Sequence, residues 1–164
     1  MQKNAAHDKW WQTSEVVFGI PFLASILLQL LVPLRYPRGI LTPIFVTLGV
    51  VISIGGVILV ILARAEFASH GQRTDPGQPT TDIVSTGVFS FSRNPLYLGV
   101  AGFLAGIALA FNLLWELLLL VPSLVACHYI LIAPEESYLT AKFGEAYQRY
   151  AASVHRWFGR ARQI

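Results

Sequence analysis

The sequence predicts an all-α integral membrane protein, with about four transmembrane helices and a cytosolic amphipathic helix towards the C-terminal end. Three observations predict it. Hydrophobic residues make up 54% of the 164-residue chain and charged residues only 13%, for a mean hydropathy of +0.56; soluble domains carry about 25% charged residues. The apolar residues gather into four long runs. Lys and Arg fall almost entirely on one side of the arrangement that these runs impose. A chain of this length makes about one domain, so residues 1–164 read as a single membrane domain. The composition argues against a soluble globular protein and a disordered tail. A net charge of +3 without an extended basic groove argues against a nucleic-acid partner. Cys127 is the lone cysteine, which excludes an intrachain disulfide and a cysteine-based zinc site. His7, His70 and His155 are too scattered to propose a metal site.

The runs are residues 16–34, 40–63, 96–111 and 113–133. A spanning helix needs about 20 apolar residues, with a range of about 17–25. The second and fourth runs fit well, the first is adequate and the third is short. Lipid offers no partners to unpaired backbone groups, so such runs form helices. Lys3, Asp8, Lys9 and Glu15 precede the first run and no small-residue cleavage pattern follows it, so it reads as a retained helix rather than a signal peptide. Arg35 to Gly39, with Pro33 and Pro37, reads as a tight turn into the second run. A long loop from Arg64 to Asn94 follows, punctuated by Asp75-Pro76-Gly77 and Pro79.

Asn112 is the only break between the third and fourth runs, which predicts a close helical hairpin. Gly99, Gly102 and Gly106 lie along one side of the third run, with Gly102 and Gly106 in a GxxxG relation. They read as close helix–helix approach within the fold, with a dimer seam or clearance for a ligand as the alternative. Glu116 is expected to reach interfacial water, and Cys127 to be a small buried packing residue. From Pro134 the chain turns polar, and Leu139, Phe143, Ala146, Tyr147 and Tyr150 are spaced as an amphipathic helix.

Four spans put Lys3, Lys9, Arg64, Arg73, Arg93, Lys142, Arg149, Arg156, Arg160 and Arg162 on one side, against Arg35 and Arg38 on the other. That bias predicts an inner- or plasma-membrane protein with both termini in the cytosol. Trp10, Trp11 and Trp157 read as interfacial belt residues. Arg149, Arg156, Arg160 and Arg162 read as contacts to anionic lipid head groups.

Two polar segments flank the predicted hairpin, Thr86 to Gly99 before it and Pro134 to Leu139 after it. Closing the hairpin would bring Asn94, Tyr97, Glu135 and Glu136 to one site. Pro95 suits a first helical turn, and a helix start offers backbone donors to an anionic group. Glu135 or Glu136 can accept from an ammonium or from ribose hydroxyls, while Tyr97, Phe89, Tyr138 and Tyr147 can face a sulfonium or ammonium. A ligand with amino acid, ribose and sulfonium would use all three features. His128, seven residues before Glu135 and so on the same face of a regular helix, is a candidate base or acceptor contact, with a neutral hydrogen-bonded histidine as the alternative. Arg93 reads equally as a topology anchor and as a ligand contact.

The run Thr86 to Gly99, followed by Glu135-Glu136-Ser137-Tyr138-Leu139, then Phe143-Gly144-Glu145-Ala146-Tyr147 and Tyr150, resembles the isoprenylcysteine carboxyl methyltransferases and their wider bacterial and phospholipid-methylating relatives. The resemblance covers roughly Asp75 to Trp157. It implies an integral membrane enzyme using S-adenosylmethionine. The cofactor contacts it implies are Thr81, Asp82, Ile83, Val84, Phe89, Asn94, Pro95, Leu96, Tyr97 and Glu135, with Glu136 beside them. Asn94 and Tyr97, together with His128, are the catalytic candidates. The chain departs from the family pattern at Asn94, where histidine is common, at Phe89, where tyrosine is common, and at Leu131, where isoprenylcysteine enzymes carry an arginine near the substrate.

The reaction expected is methyl transfer to a lipophilic acceptor, a lipid or small molecule with a carboxylate, thiol or amine, entering from the bilayer. The cofactor supplies the activated methyl, and the protein supplies alignment. The alternatives are an NADPH-linked membrane reductase relative and a non-catalytic membrane module that retains the fold. Oligomeric state is open.

Overall fold

Lipid-facing helices need only one sticky stripe each, and that economy organises this fold. In the computed structural model, which describes residues 11–37, 39–72 and 80–160, the elements are α1 (Ser14–Leu31), α2 (Thr42–Ser69), a 3₁₀ turn (Gly87–Ser90), α3 (Pro95–Phe111), α4 (Leu114–Cys127), a π turn (His128–Ile132), α5 (Ala133–Phe143) and α6 (Glu145–Ser153). Among the described residues there is no strand, only an isolated bridge between Val154 and Arg160. Lys3, Lys9, Arg38, Arg73, Arg162, His7, Trp10, Asp75-Pro76-Gly77 and Pro79 lie outside the described residues.

Among the described residues three helices are long and apolar enough to cross a membrane: Ser14–Leu31, Thr42–Ser69 and the continuous stretch Leu114–Phe143. The fourth expected span, α3, is a shorter apolar helix of 17 residues, about 26 Å long at 1.5 Å per residue. It lies antiparallel along α2, and backbone touches backbone there. A Cβ on Gly56 would come within 2.5 Å of Gly99 O and Phe103 N, and one on Gly49 within 2.5 Å of Ala110 N. From the α3 side, a Cβ on Gly99 would meet Gly56 O at 2.8 Å and one on Gly106 would meet Gly49 O at 2.5 Å. The seam is therefore two glycines on each helix, two turns apart, which is the close approach that small residues allow. Gly102 takes little part, since its Cβ would meet nothing nearer than Gly56 Cα at 3.8 Å.

The four helices form a row in which α1 packs on α4, α4 on α3, and α3 on α2. α1 and α2 are consecutive in sequence yet stand at opposite edges. The segment joining them lies against the end of the α3–α4 hairpin at Tyr36, and Arg38 of the tight turn expected at Arg35–Gly39 lies outside the described residues. Asn112, in the left-handed conformation (φ 58°) that ends α3, grips this segment. Tyr36 N–H donates to Asn112 Oδ1 (2.8 Å), Asn112 Nδ2 donates to Tyr36 O (3.0 Å), and Tyr36 Oη donates to Leu109 O (2.6 Å). Trp115 Nε1 donates to Val32 O (2.8 Å), fixing α4 antiparallel to α1. This is the hairpin end of the bundle. At the opposite end α1 and α3 begin and α2 and α4 finish.

Four further expectations are corrected. The second helix does not stop at Ala63 but runs to Ser69, so Arg64 to Ser69 are helical rather than loop. The helix begun by the fourth run does not end at 133. It continues through the π turn to Phe143, breaks at Gly144 (φ 55°) and restarts as α6, so the expected single amphipathic helix is two. Glu116 does not reach interfacial water: it is 1% exposed, with its carboxyl hydrogen-bonded to Ser25 of α1. Trp157 is partly buried against the core formed by Val17, Phe18, Leu104, Cys127, Leu131 and Ile132.

Candidate active site

Two apolar clusters meet at the end of the bundle opposite the hairpin. One holds Val17 and Phe18 of α1, Ala101 and Leu104 of α3, and Cys127, Leu131 and Ile132, with Tyr97 and Trp157 packed against it. The other holds Ala63, Val84 and Phe89, with Phe67, Leu96 and Tyr150 against it. Polar groups bridge the two.

At the start of α3, Tyr97 Oη donates to Glu135 Oε2 at 3.3 Å. Glu136 is bound by two arginines: Arg93 Nη1 at 2.9 Å, and Arg156 through a two-pronged contact, Nη2 at 2.6 Å and Nε at 3.0 Å. Such paired guanidinium–carboxylate contacts are the strong, geometrically specific kind. The hydrogen bond to Glu136 holds the Arg156 guanidinium above its ordinary value. Arg93 also hydrogen-bonds the Tyr147 hydroxyl, which burial pushes above its ordinary value. Tyr150 Oη donates to Phe89 O (2.8 Å), and burial likewise pushes this hydroxyl up. The structure thus brings Asn94, Tyr97, Glu135 and Glu136 to one place, as closing the hairpin requires.

Asn94 is 8% exposed, and it spends its Nδ2 on Arg156 O at 3.0 Å, so it does not cap α3. Pro95 opens α3, and Leu98 N–H bonds back to Asn94 O (3.0 Å). Phe89 is packed on Phe67, ring centroids 4.7 Å apart, within the second cluster. The 80–86 loop is tied to α2. Gln72 Nε2 donates to Asp82 O, Thr86 Oγ1 donates to a Glu66 carboxyl oxygen, and Val84 is buried on Ala63. Thr81 and Asp82 are exposed, and Asp82 Oδ1 accepts from Ile83 N–H (2.7 Å). Tyr138 carries Lys142 over its ring, 5.5 Å from the centroid.

The π turn changes what faces Glu135. It takes up one residue more than a regular helix would, and each residue is worth about 100° of rotation. His128 therefore leaves the face on which regular spacing placed it, and Cys127 takes its line. Cys127 is fully buried, while the His128 ring lies against Tyr129, centroids 4.8 Å apart.

One orphaned atom bears on S-adenosylmethionine, the cofactor that the sequence resemblance implies. Arg93 Nε is buried and has no hydrogen-bond partner. A guanidinium N–H held beside a carboxylate, tyrosine hydroxyls and a helix start suits a ligand carrying its own carboxylate and hydroxyls. The residues present fit S-adenosylmethionine.

The sequence profile of the phospholipid methyltransferases matches residues 44–146, well over half the chain. The chain belongs to the phospholipid methyltransferase family. This family comprises membrane methyltransferases of the isoprenylcysteine carboxyl methyltransferase-like kind, which generally use S-adenosylmethionine. No curated protein and no solved structure matches the chain. The matched region runs from the second residue after the start of α2 to the start of α6. It includes the Arg93–Tyr97 and Glu135–Glu136 segments that the sequence singles out. Arg156 lies beyond it and escapes sequence reasoning, because its backbone carbonyl and its guanidinium act from a non-helical tail that reads as a lipid contact.

Proposed function

We propose that this member of the phospholipid methyltransferase family transfers a methyl group from S-adenosylmethionine to a lipophilic acceptor that enters from the bilayer. The observation that carries the reading is the convergence at the start of α3, where Tyr97 bonds Glu135 and the buried Arg93 Nε has no partner. Arg93 would take the carboxylate of the bound cofactor, Glu135 its ammonium or ribose hydroxyls, and the Asn94–Tyr97 turn would bound the pocket. The loop residues Thr81 to Val84 and the Phe89 ring would line it on the α2 side. Once bound, the cofactor supplies an activated methyl, and the chain's own contribution is alignment and exclusion of water.

The charge pattern narrows the acceptor. Leu131 is fully buried in the first cluster, and the two arginines of the site are both engaged by Glu136. With Arg93 assigned to the carboxylate of the cofactor and Arg156 forked onto Glu136, a carboxylate acceptor would meet neither of these cations, so a thiol or amine is favoured over a carboxylate. Such an acceptor arrives protonated and needs a base. The π turn rotates His128 away from the face of Glu135, which disfavours it for that role. Among the described residues Arg64, Arg93, Lys142, Arg149, Arg156 and Arg160 stand at or beyond this end and Arg35 at the hairpin end, which favours the site facing the cytosol.

The test is calorimetric titration of the detergent-purified protein with S-adenosylmethionine and, separately, with NADPH. Saturable binding of the methyl donor alone is expected, and Glu135→Ala should weaken it about a hundredfold with helicity unchanged. Binding of NADPH alone would replace this reading with the reductase one, and binding of neither would leave the non-catalytic module.

A further inference from the structure

The tail after α6 is tied to the start of α3 at several points. Arg93 N–H donates to His155 O (3.1 Å), Gly159 N–H to Phe91 O (2.8 Å), and His155 N–H to Gly159 O (2.9 Å), closing a tight loop around residue 156. At its tip Arg156 faces two ways. Its carbonyl accepts from Asn94 Nδ2 (3.0 Å) and Ser92 Oγ (3.4 Å), and its guanidinium forks onto Glu136. Ser92, fully buried, also accepts from Asn94 N–H (3.1 Å). One residue of the tail therefore holds both Asn94, the residue just before α3, and the carboxylate beside Glu135, from 62 and 20 residues away.

We infer that Arg156 is a positioning residue of the site, setting the distance between the start of α3 and the start of α5 through Asn94 and Glu136. This rests on the methyl-donor reading above and deepens it. Tyr97 and Glu135 sit on those same two helix starts, and Arg93 must share Glu136 with Arg156. With the fork removed, Arg93 is free to swing wholly onto Glu136, and its Nε no longer points where it does now. Lysine keeps the charge but has no planar fork, so Arg156→Lys separates geometry from charge.

The experiment combines S-adenosylmethionine titration with amide hydrogen exchange on wild type, Arg156→Ala and Arg156→Lys. A hydrogen bond to a charged group is worth roughly a factor of ten or more in an equilibrium constant, so Arg156→Ala, which lets Arg93 turn away from the ligand, is expected to weaken binding by about tenfold. Exchange should quicken at residues 91–93 and 155–159 and stay slow through the α2–α3 glycine seam. Arg156→Lys is expected to weaken binding to a lesser extent. If Arg156→Ala disrupts the seam as well, Arg156→Lys decides: wild-type affinity in that variant overturns the inference. Faster exchange in the tail with unchanged affinity for S-adenosylmethionine also overturns it, while the function stands. A wild-type protein that does not bind S-adenosylmethionine overturns the function first, and the positioning role with it.

Discussion

Asn112 at the end of α3 and Asn94 at its start each donate an amide N–H, at 3.0 Å, to a backbone carbonyl far along the chain. Beyond that the two ends differ. Asn112 pairs reciprocally with the backbone N–H and carbonyl of one residue, Tyr36, and the result is a closed clamp. Asn94 makes a single bond to a carbonyl whose own side chain is committed to Glu136, among two arginines, two carboxylates and three tyrosines. An amide that saturates its partner fixes a fold. One that shares its partner with a charged network couples a fold to whatever that network binds.

The comparison breaks most completely if α3 itself is displaced. Gly56→Ala drives a Cβ to 2.5 Å from two backbone atoms of α3, and should cost about 1–3 kcal/mol, lowering the melting temperature in detergent and weakening cofactor binding together. Gly102→Ala, with only a 3.8 Å contact, should move neither, and a large effect there would relocate the seam. Next in size is Asn112→Gly, which keeps the left-handed backbone accessible while removing both side-chain bonds to Tyr36. It should cost about 1–2 kcal/mol and leave the affinity for S-adenosylmethionine unchanged; a lost affinity would mean that the two ends are not separable.

The smallest effect sharpens the contrast through pH. Tyr147 and Tyr150, near the Asn94 end only, are both pushed above the ordinary value of 10.0 by burial. Above about pH 10 the unfolded chain releases protons that the folded form retains, so stability present below that pH falls as pH rises through the folded values. Tyr150→Phe should cost about 0.5–1.5 kcal/mol at neutral pH through the lost bond to Phe89 O. It should also flatten the alkaline decline, read from melting temperatures across pH 8 to about 11. An unchanged decline would place the titrating group elsewhere.

Much of this was legible in the residues. Four apolar runs had to become helices because lipid leaves the backbone no other partner, and Asn112 marked the hairpin that brings Tyr97 to Glu135. The row order was not legible, since apolar faces carry no address, and the short α1–α2 link suggested neighbours where the chain crosses between edges. Gly99 and Gly106 announced a seam, but their partners Gly49 and Gly56 are hidden in a helix that is uniformly apolar. The π turn leaves no mark in His128–Ile132, and so the spacing argument for His128 failed. Arg156 went unseen because half of its role belongs to a carbonyl, which every residue type possesses.

The π turn has a consequence for comparison across the family. It absorbs one surplus residue while the helix before it and the helix after it keep the phase of an uninterrupted rod. A relative whose corresponding helix runs without the bulge would carry one residue fewer in that stretch. Matched without a gap, the two chains agree from Ala133 onward and fall one step out of register before His128. Positions in this stretch are therefore to be counted forward from Glu135 and backward from Cys127, with the gap placed inside His128–Ile132.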